Sequence, residues 1–147
     1  MNKHCRLFIV LIGLFVSLSC LAQQAEEFGQ HVVHYNTMNT NMLSPEVASA
    51  YGIQRSGTRG LLNIAVLKKE EDGLNTPVTA RVSATATNLA GQRRDLEMQE
   101  IQDQDAIYYV ATFRFHNEEY LNFQVSVQPE GRDRRHEFSF RQQFYVD

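Results

Sequence analysis

The chain has 147 residues, with 14 Lys plus Arg against 17 Asp plus Glu, a formal net charge of −3 and two cysteines. That acidic balance argues against nucleic acid and anionic lipid as partners, because binding to either rests on clustered Lys and Arg. Both cysteines, Cys5 and Cys20, fall in the first 22 residues, so a chain cleaved after Ala22 has no disulfide, no catalytic thiol and no cysteine metal site.

Met1 to Ala22 has the layout of a secretory leader. Lys3 and Arg6 give a positive start and an apolar run follows from Leu7 to Val16. The run is shorter than the roughly 20 apolar residues a membrane-spanning helix needs. Cys20 and Ala22 supply the small residues of a cleavage site, which places the cut before Gln23 and the mature protein in the periplasm. Cys20 also admits lipidation, but Ser17 stands where a lipoprotein signal usually places Leu, and Leu18 comes one position late. Cleavage after Ala22 is the preferred reading. Of 147 residues, a 22-residue leader leaves 125, residues 23–147, enough for one compact domain. Loss of Lys3 and Arg6, with no acid in the leader, takes the net charge from −3 to −5.

From Gln30 onward apolar residues alternate in short runs between turn residues, the pattern of half-buried strands. Seven runs are predicted, at about 30–38, 60–68, 78–88, 94–102, 106–115, 120–128 and 135–146, with boundaries good to two to four residues. In the clearest, Leu121, Phe123, Val125 and Val127 interleave with Asn122, Gln124, Ser126 and Gln128. Leu61 to Leu67 and Ile107 to Phe115 are apolar on both parities, which predicts central strands covered on both faces. In the 94–102 run Leu96 and Met98 share a parity that Ile101 breaks, which predicts a bulge or bend near Glu100. Short turns such as Glu71-Asp72-Gly73 and Ala90-Gly91-Gln92 join antiparallel neighbours. Seven strands so spaced predict an all-β fold, an immunoglobulin-like antiparallel β-sandwich, with a small barrel as the alternative.

One connection stands apart. About twenty residues, Asn39 to Arg59, separate the first two runs, where connections in compact domains have a median of about 4–6. Ser44, Pro45 and Glu46 read as an N-cap, a first-turn proline and a favourable acid, and Gly52 as a stop. A short helix over about Pro45 to Tyr51 is therefore predicted, plugging one end of the sandwich with Val47, Ala48 and Tyr51.

At this segment the chain resembles the small exported bacterial proteins grouped as domain-of-unknown-function family 4426. The likeness is carried by HYNTMNTNMLSPEVASAYGIQRSGTRGLLNIAVLKK, His34 to Lys69, and most specifically by Leu43-x-Pro45-Glu46-Val47-Ala48, Tyr51-Gly52-Ile53-x-Arg55-Ser56 and Leu61-Leu62-Asn63-Ile64. The Gly91-Gln92 turn and the Tyr108-Tyr109-Val110 strand support it. The resemblance spans essentially the whole mature chain and implies a β-sandwich and an export signal. It implies no activity, cofactor or site residue.

Three functional readings compete. His31, His34, Met38 and Met42 crowd into twelve residues, and copper sites use His and Met. Residues three apart on a strand point to opposite faces, however, so His31 and His34 cannot chelate together from a regular strand. A periplasmic metal or small-ligand carrier is thus the second reading, with no metal residue and no cofactor assigned. No nucleophile elbow, zinc-protease helix, phosphate-cradling loop or paired-carboxylate motif is present, so an enzyme of unrecognised type is third. The first is a noncatalytic protein-interaction module, its partner an envelope protein, with Arg55, Ser56 and Arg59 in the long connection as binding residues. Arg93 and Arg94, and Arg132, Arg134 and Arg135, are read as neutralised by neighbouring Asp95, Glu130, Asp133 and Glu137.

Overall fold

The computed structural model describes residues 24–147, and the leader expected over residues 1–22, with its cleavage site and Cys20, lies outside them. Ten strands form two antiparallel sheets. They are β1 (Gln24–Phe28), β2 (His31–Asn39), β3 (Arg59–Lys69), β4 (Asn75–Pro77), β5 (Ala80–Asn88), β6 (Arg93–Leu96), β7 (Gln99–Asp103), β8 (Ala106–Arg114), β9 (Glu119–Pro129) and β10 (His136–Phe144). One sheet runs β1-β2-β3-β8-β7, with β4 on the end of β3. The other runs β10-β9-β5-β6.

The alternation read from sequence sets the core. Leu121, Phe123, Val125 and Val127 of β9 are fully buried between the sheets, facing Leu62, Ile64 and Val66 of β3. Each large apolar side chain so buried stabilises the fold by about 1.5–3 kcal/mol. The small residues of β5, Ala84 and Ala86, sit in the same core. There the bulk comes from rings, with Phe123 packed against Phe113, Phe140 and Phe144 at centroid distances of 5.3, 4.9 and 6.1 Å. Gly60 pairs with Phe113 across β3 and β8. A Cβ there would stand 2.5 Å from the Phe113 ring, so the close approach of ring to backbone requires glycine.

β3 and β8 are neighbours at the centre of their sheet and are covered on both faces, as their double-sided apolar pattern predicts. Their outer face carries a second cluster, Leu61, Val110 and Ile101, roofed by Tyr51 and Ile53 of the long connection. That connection holds a 3-10 turn over Thr40–Met42 and the helix α1 (Pro45–Ala50). Ser44 caps α1, its hydroxyl accepting from the Val47 N–H at 3.2 Å. The helix does not plug an end of the sandwich. It lies against the outer face of the six-stranded sheet, where Ala48 is buried, Val47 is exposed, and the Tyr51 hydroxyl donates to Asp103 Oδ2 at the end of β7 at 2.8 Å.

The strand count is ten rather than seven. The parity break in the 94–102 run is no bulge within one strand. Residues 97–98 carry the chain from one sheet to the other, so that Leu96 of β6 enters the main core and Ile101 of β7 the outer cluster. β1 escapes the pattern because its QAEEF sequence is an acidic edge strand with one apolar ring to bury, and β4 because it is three residues ending in proline. Among the described residues no helix is long and apolar enough to cross a membrane.

Candidate interaction surface

β2 ends, β3 begins and β10 runs out at the same end of the sandwich. The sheet pairing brings Asn39 beside Gly60, and the residues after Phe144 cross from the four-stranded sheet to meet the long connection. Three polar fastenings hold this junction. Thr40, fully buried, donates from Oγ1 to the Ser56 carbonyl at 3.2 Å and accepts from the Ser56 N–H at 2.9 Å, which pins the two roots of the connection together. Asn39 Nδ2 donates to the Tyr145 carbonyl at 2.9 Å, and Asn39 and Asn41 both donate to the Asp147 carboxylate at 3.4 Å. The Asp147 N–H donates to the Gly57 carbonyl at 3.4 Å, and a Cβ on Gly57 would fall 2.4 Å from the Asp147 carbonyl oxygen. The connection is therefore a fixed plate, held by a buried hydroxyl and by the residues that follow β10.

The residues singled out from sequence all lie on this plate, in roles that differ from free contact groups. Arg55 is exposed, but its Nη2 donates to the Asn41 carbonyl at 3.0 Å and so braces the 3-10 turn. Arg59 Nη2 approaches Gln54 Oε1 at 3.5 Å. Ser56 spends its side chain locally, its Oγ lying 3.0 Å from Thr58 Oγ1 and accepting from the Thr58 N–H at 3.2 Å. Among the side chains the plate presents outward are three large apolar ones. Met42 is 71% exposed, Tyr145 55% and Val146 40%, on segments that the Asn39, Asn41 and Asp147 hydrogen bonds join. Sequence reasoning missed Thr40, Asn39, Asn41 and the three residues after β10. The Asn-Thr-Asn run was the available signal, but nothing linear ties it to a segment more than a hundred residues away.

The histidines and methionines separate. His31 and His34 fall on opposite faces of β2, His31 stacking on Phe28 at 5.6 Å, while Met38 packs in the outer cluster and Met42 is exposed. Among the described residues no group of three or more His, Cys, Asp or Glu is placed to hold a metal ion. Arg93 lies 3.6 Å from Asp95 and Arg135 3.8 Å from Glu137, as local neutralisation predicts, whereas Arg132 and Arg134 form no ion pair among the described residues.

A two-sheet antiparallel sandwich with a pinned, helix-bearing first connection defines the class of domain. The chain belongs to the DUF4426 family, a domain of unknown function, whose model matches residues 25–147. A DUF4426 family protein from Pseudomonas aeruginosa PAO1, known from its crystal structure, is 35% identical with a TM-score of 0.74, over 84% of this chain and 95% of that one. FetP of uropathogenic Escherichia coli strain F11 is similar in fold alone. Its as-isolated form gives a TM-score of 0.60 at 9% identity over 84% of this chain and 94% of its own. A copper-bound variant of the same protein gives 0.60 at 10% identity over 86% and 97%. A comparison with curated proteins finds no match.

Proposed function

We propose that this protein is an exported, noncatalytic module of the bacterial envelope that binds another protein through the plate formed by the Asn39 to Arg59 connection and the residues after β10. The observation that carries the reading is the exposure of Met42, Tyr145 and Val146 on hydrogen-bonded neighbouring segments, next to a braced Arg55. Single exposed apolar side chains are ordinary. Several gathered on a rigid plate with an arginine have the makeup of an interface centre, because apolar and aromatic anchors held in place lose little entropy when a partner covers them. Export rests on the leader layout of residues 1–22.

The test is capture from envelope extract by the tagged mature chain. A Met42→Asp plus Tyr145→Ser variant is expected to lose about tenfold or more of a partner that the wild type retains, since two anchors of this kind together carry well over 1 kcal/mol. Leu74→Asp, at an exposed apolar site 70% accessible near the opposite end, is expected to retain it. Equal capture by all three chains removes the basis for the reading.

A carrier role in the same compartment ranks second. Its support is that the FetP fold occurs in a copper-bound form.

A further inference from the structure

At the end of the sandwich opposite the plate, the edge strands of the two sheets, β1 and β10, close on each other through rings. Phe28 stacks on His136 at 4.4 Å with the planes 5° apart, and on His31 at 5.6 Å. Beside this stack lies a cavity of about 700 Å³, lined by Phe28, His31, His136 and the loop from Gly131 to Arg135. Three features set it apart from an ordinary surface hollow. His31 in its wall is 94% buried (6% exposed), and the buried Nε2 of His136 has no hydrogen-bond partner among the described residues, although buried polar groups normally find one. The loop brings Arg132, Arg134 and Arg135 to the rim against a single acid, Asp133.

Each nearby carboxylate already has a partner. Glu130 accepts from the Thr79 hydroxyl, Glu137 lies 3.8 Å from Arg135, and Glu26 lies 3.8 Å from His136 Nε2. Arg132 is held at the rim by Gln30, whose Oε1 accepts from Nη2 at 3.0 Å. The field is positive enough that Arg132 and Lys68 add to burial in holding the His31 pKa below its ordinary value. In an acidic protein this is a local inversion of charge.

We infer that the cavity between β1 and β10 binds a small molecule carrying a multivalent oxyanion, phosphate or carboxylate, with Arg132 and Arg134 forking its oxygens and the His31 and His136 rings donating to it from the wall. Guanidinium groups match planar oxyanions with paired N–H donors. An anion there gives the buried His136 Nε2 the hydrogen-bond partner it lacks, and Arg132 and Arg134 a counter-charge. The site lies at the far end from the plate and stands whether or not the plate binds protein.

Calorimetric titration of the mature chain with inorganic pyrophosphate and, separately, with citrate, at 0.15 M salt so that diffuse attraction is screened, tests the assignment. Saturable one-to-one binding is expected with at least one probe, and the tighter one tells phosphate from carboxylate chemistry. Arg132→Glu plus Arg134→Glu on the exposed loop is expected to weaken it about tenfold or more. His31→Gln is expected to weaken it by a smaller factor, and the His31 ring nitrogen resonances of the wild type are expected to move on titration. Failure of both probes to bind, or equal binding by the doubly substituted chain with an unchanged circular dichroism spectrum, overturns the inference.

Discussion

Tyr109 shows how one residue ties the two sheets. Its ring lies in the main core, and its hydroxyl accepts from the Ala80 N–H of β5 at 2.8 Å while donating to Glu100 Oε1 of β7 at 2.7 Å. Burial and the bond to Glu100 push the phenol pKa up to about 12. An unfolded tyrosine ionises near 10, so the folded state binds this proton more tightly. The contribution is complete below pH 10 and is lost as pH rises through the window between the two values. Tyr109→Phe strands the Ala80 N–H, and denaturant unfolding at neutral pH is expected to show a loss of about 1–2 kcal/mol. The same titration repeated from pH 9 to 11.5 is expected to show a shallower alkaline decline for the variant than for the wild type. Sequence placed Tyr109 on a strand; its role was hidden because Ala80 and Glu100 meet it only through the arrangement of distant strands.

At the scale of elements, the helix was legible and its seat was not. Ser44, Pro45 and Gly52 mark the boundaries of α1 by local capping and turn chemistry, and the structure keeps all three. Where the helix packs depends on the outer face of β3, β8 and β7, and that face was half visible in the double-sided apolar pattern of Leu61 and Val110. The parity break at Ile101 was likewise seen, but a bulge and a change of sheet leave the same mark in a linear pattern. Only the pairing of β6 with β5 and of β7 with β8 tells them apart. Ser44→Ala removes the one side-chain cap of α1, at a cost of about 1 kcal/mol. Hydrogen exchange is expected to quicken about fivefold at the amides of Ala48, Tyr51 and Ile53, which close the helix and its exit, with the β9 amides unchanged. Quickening throughout β9 as well would mean that the helix is part of the cooperative core and not a plate laid on it.

For the whole molecule, the two-sheet sandwich follows from period-two burial, and that much the sequence carried, because each strand must hide one face and no cysteine is present beyond Cys20 to staple it. The candidate site was legible as a segment and not as a surface. Its length and composition drew attention to Arg55, Ser56 and Arg59, whose side chains also make hydrogen bonds within the connection. Met42, Tyr145 and Val146 become neighbours only after β10 has delivered the end of the chain to the foot of β3. The account rests on that delivered surface as the place where another protein docks. Photo-crosslinking in intact cells tests it most directly, with a photoreactive residue placed at Met42, at Val146 or at Leu74. The account predicts one and the same crosslinked partner from Met42 and Val146 and none from Leu74. A partner captured from Leu74 alone, or equally from all three positions, would contradict it.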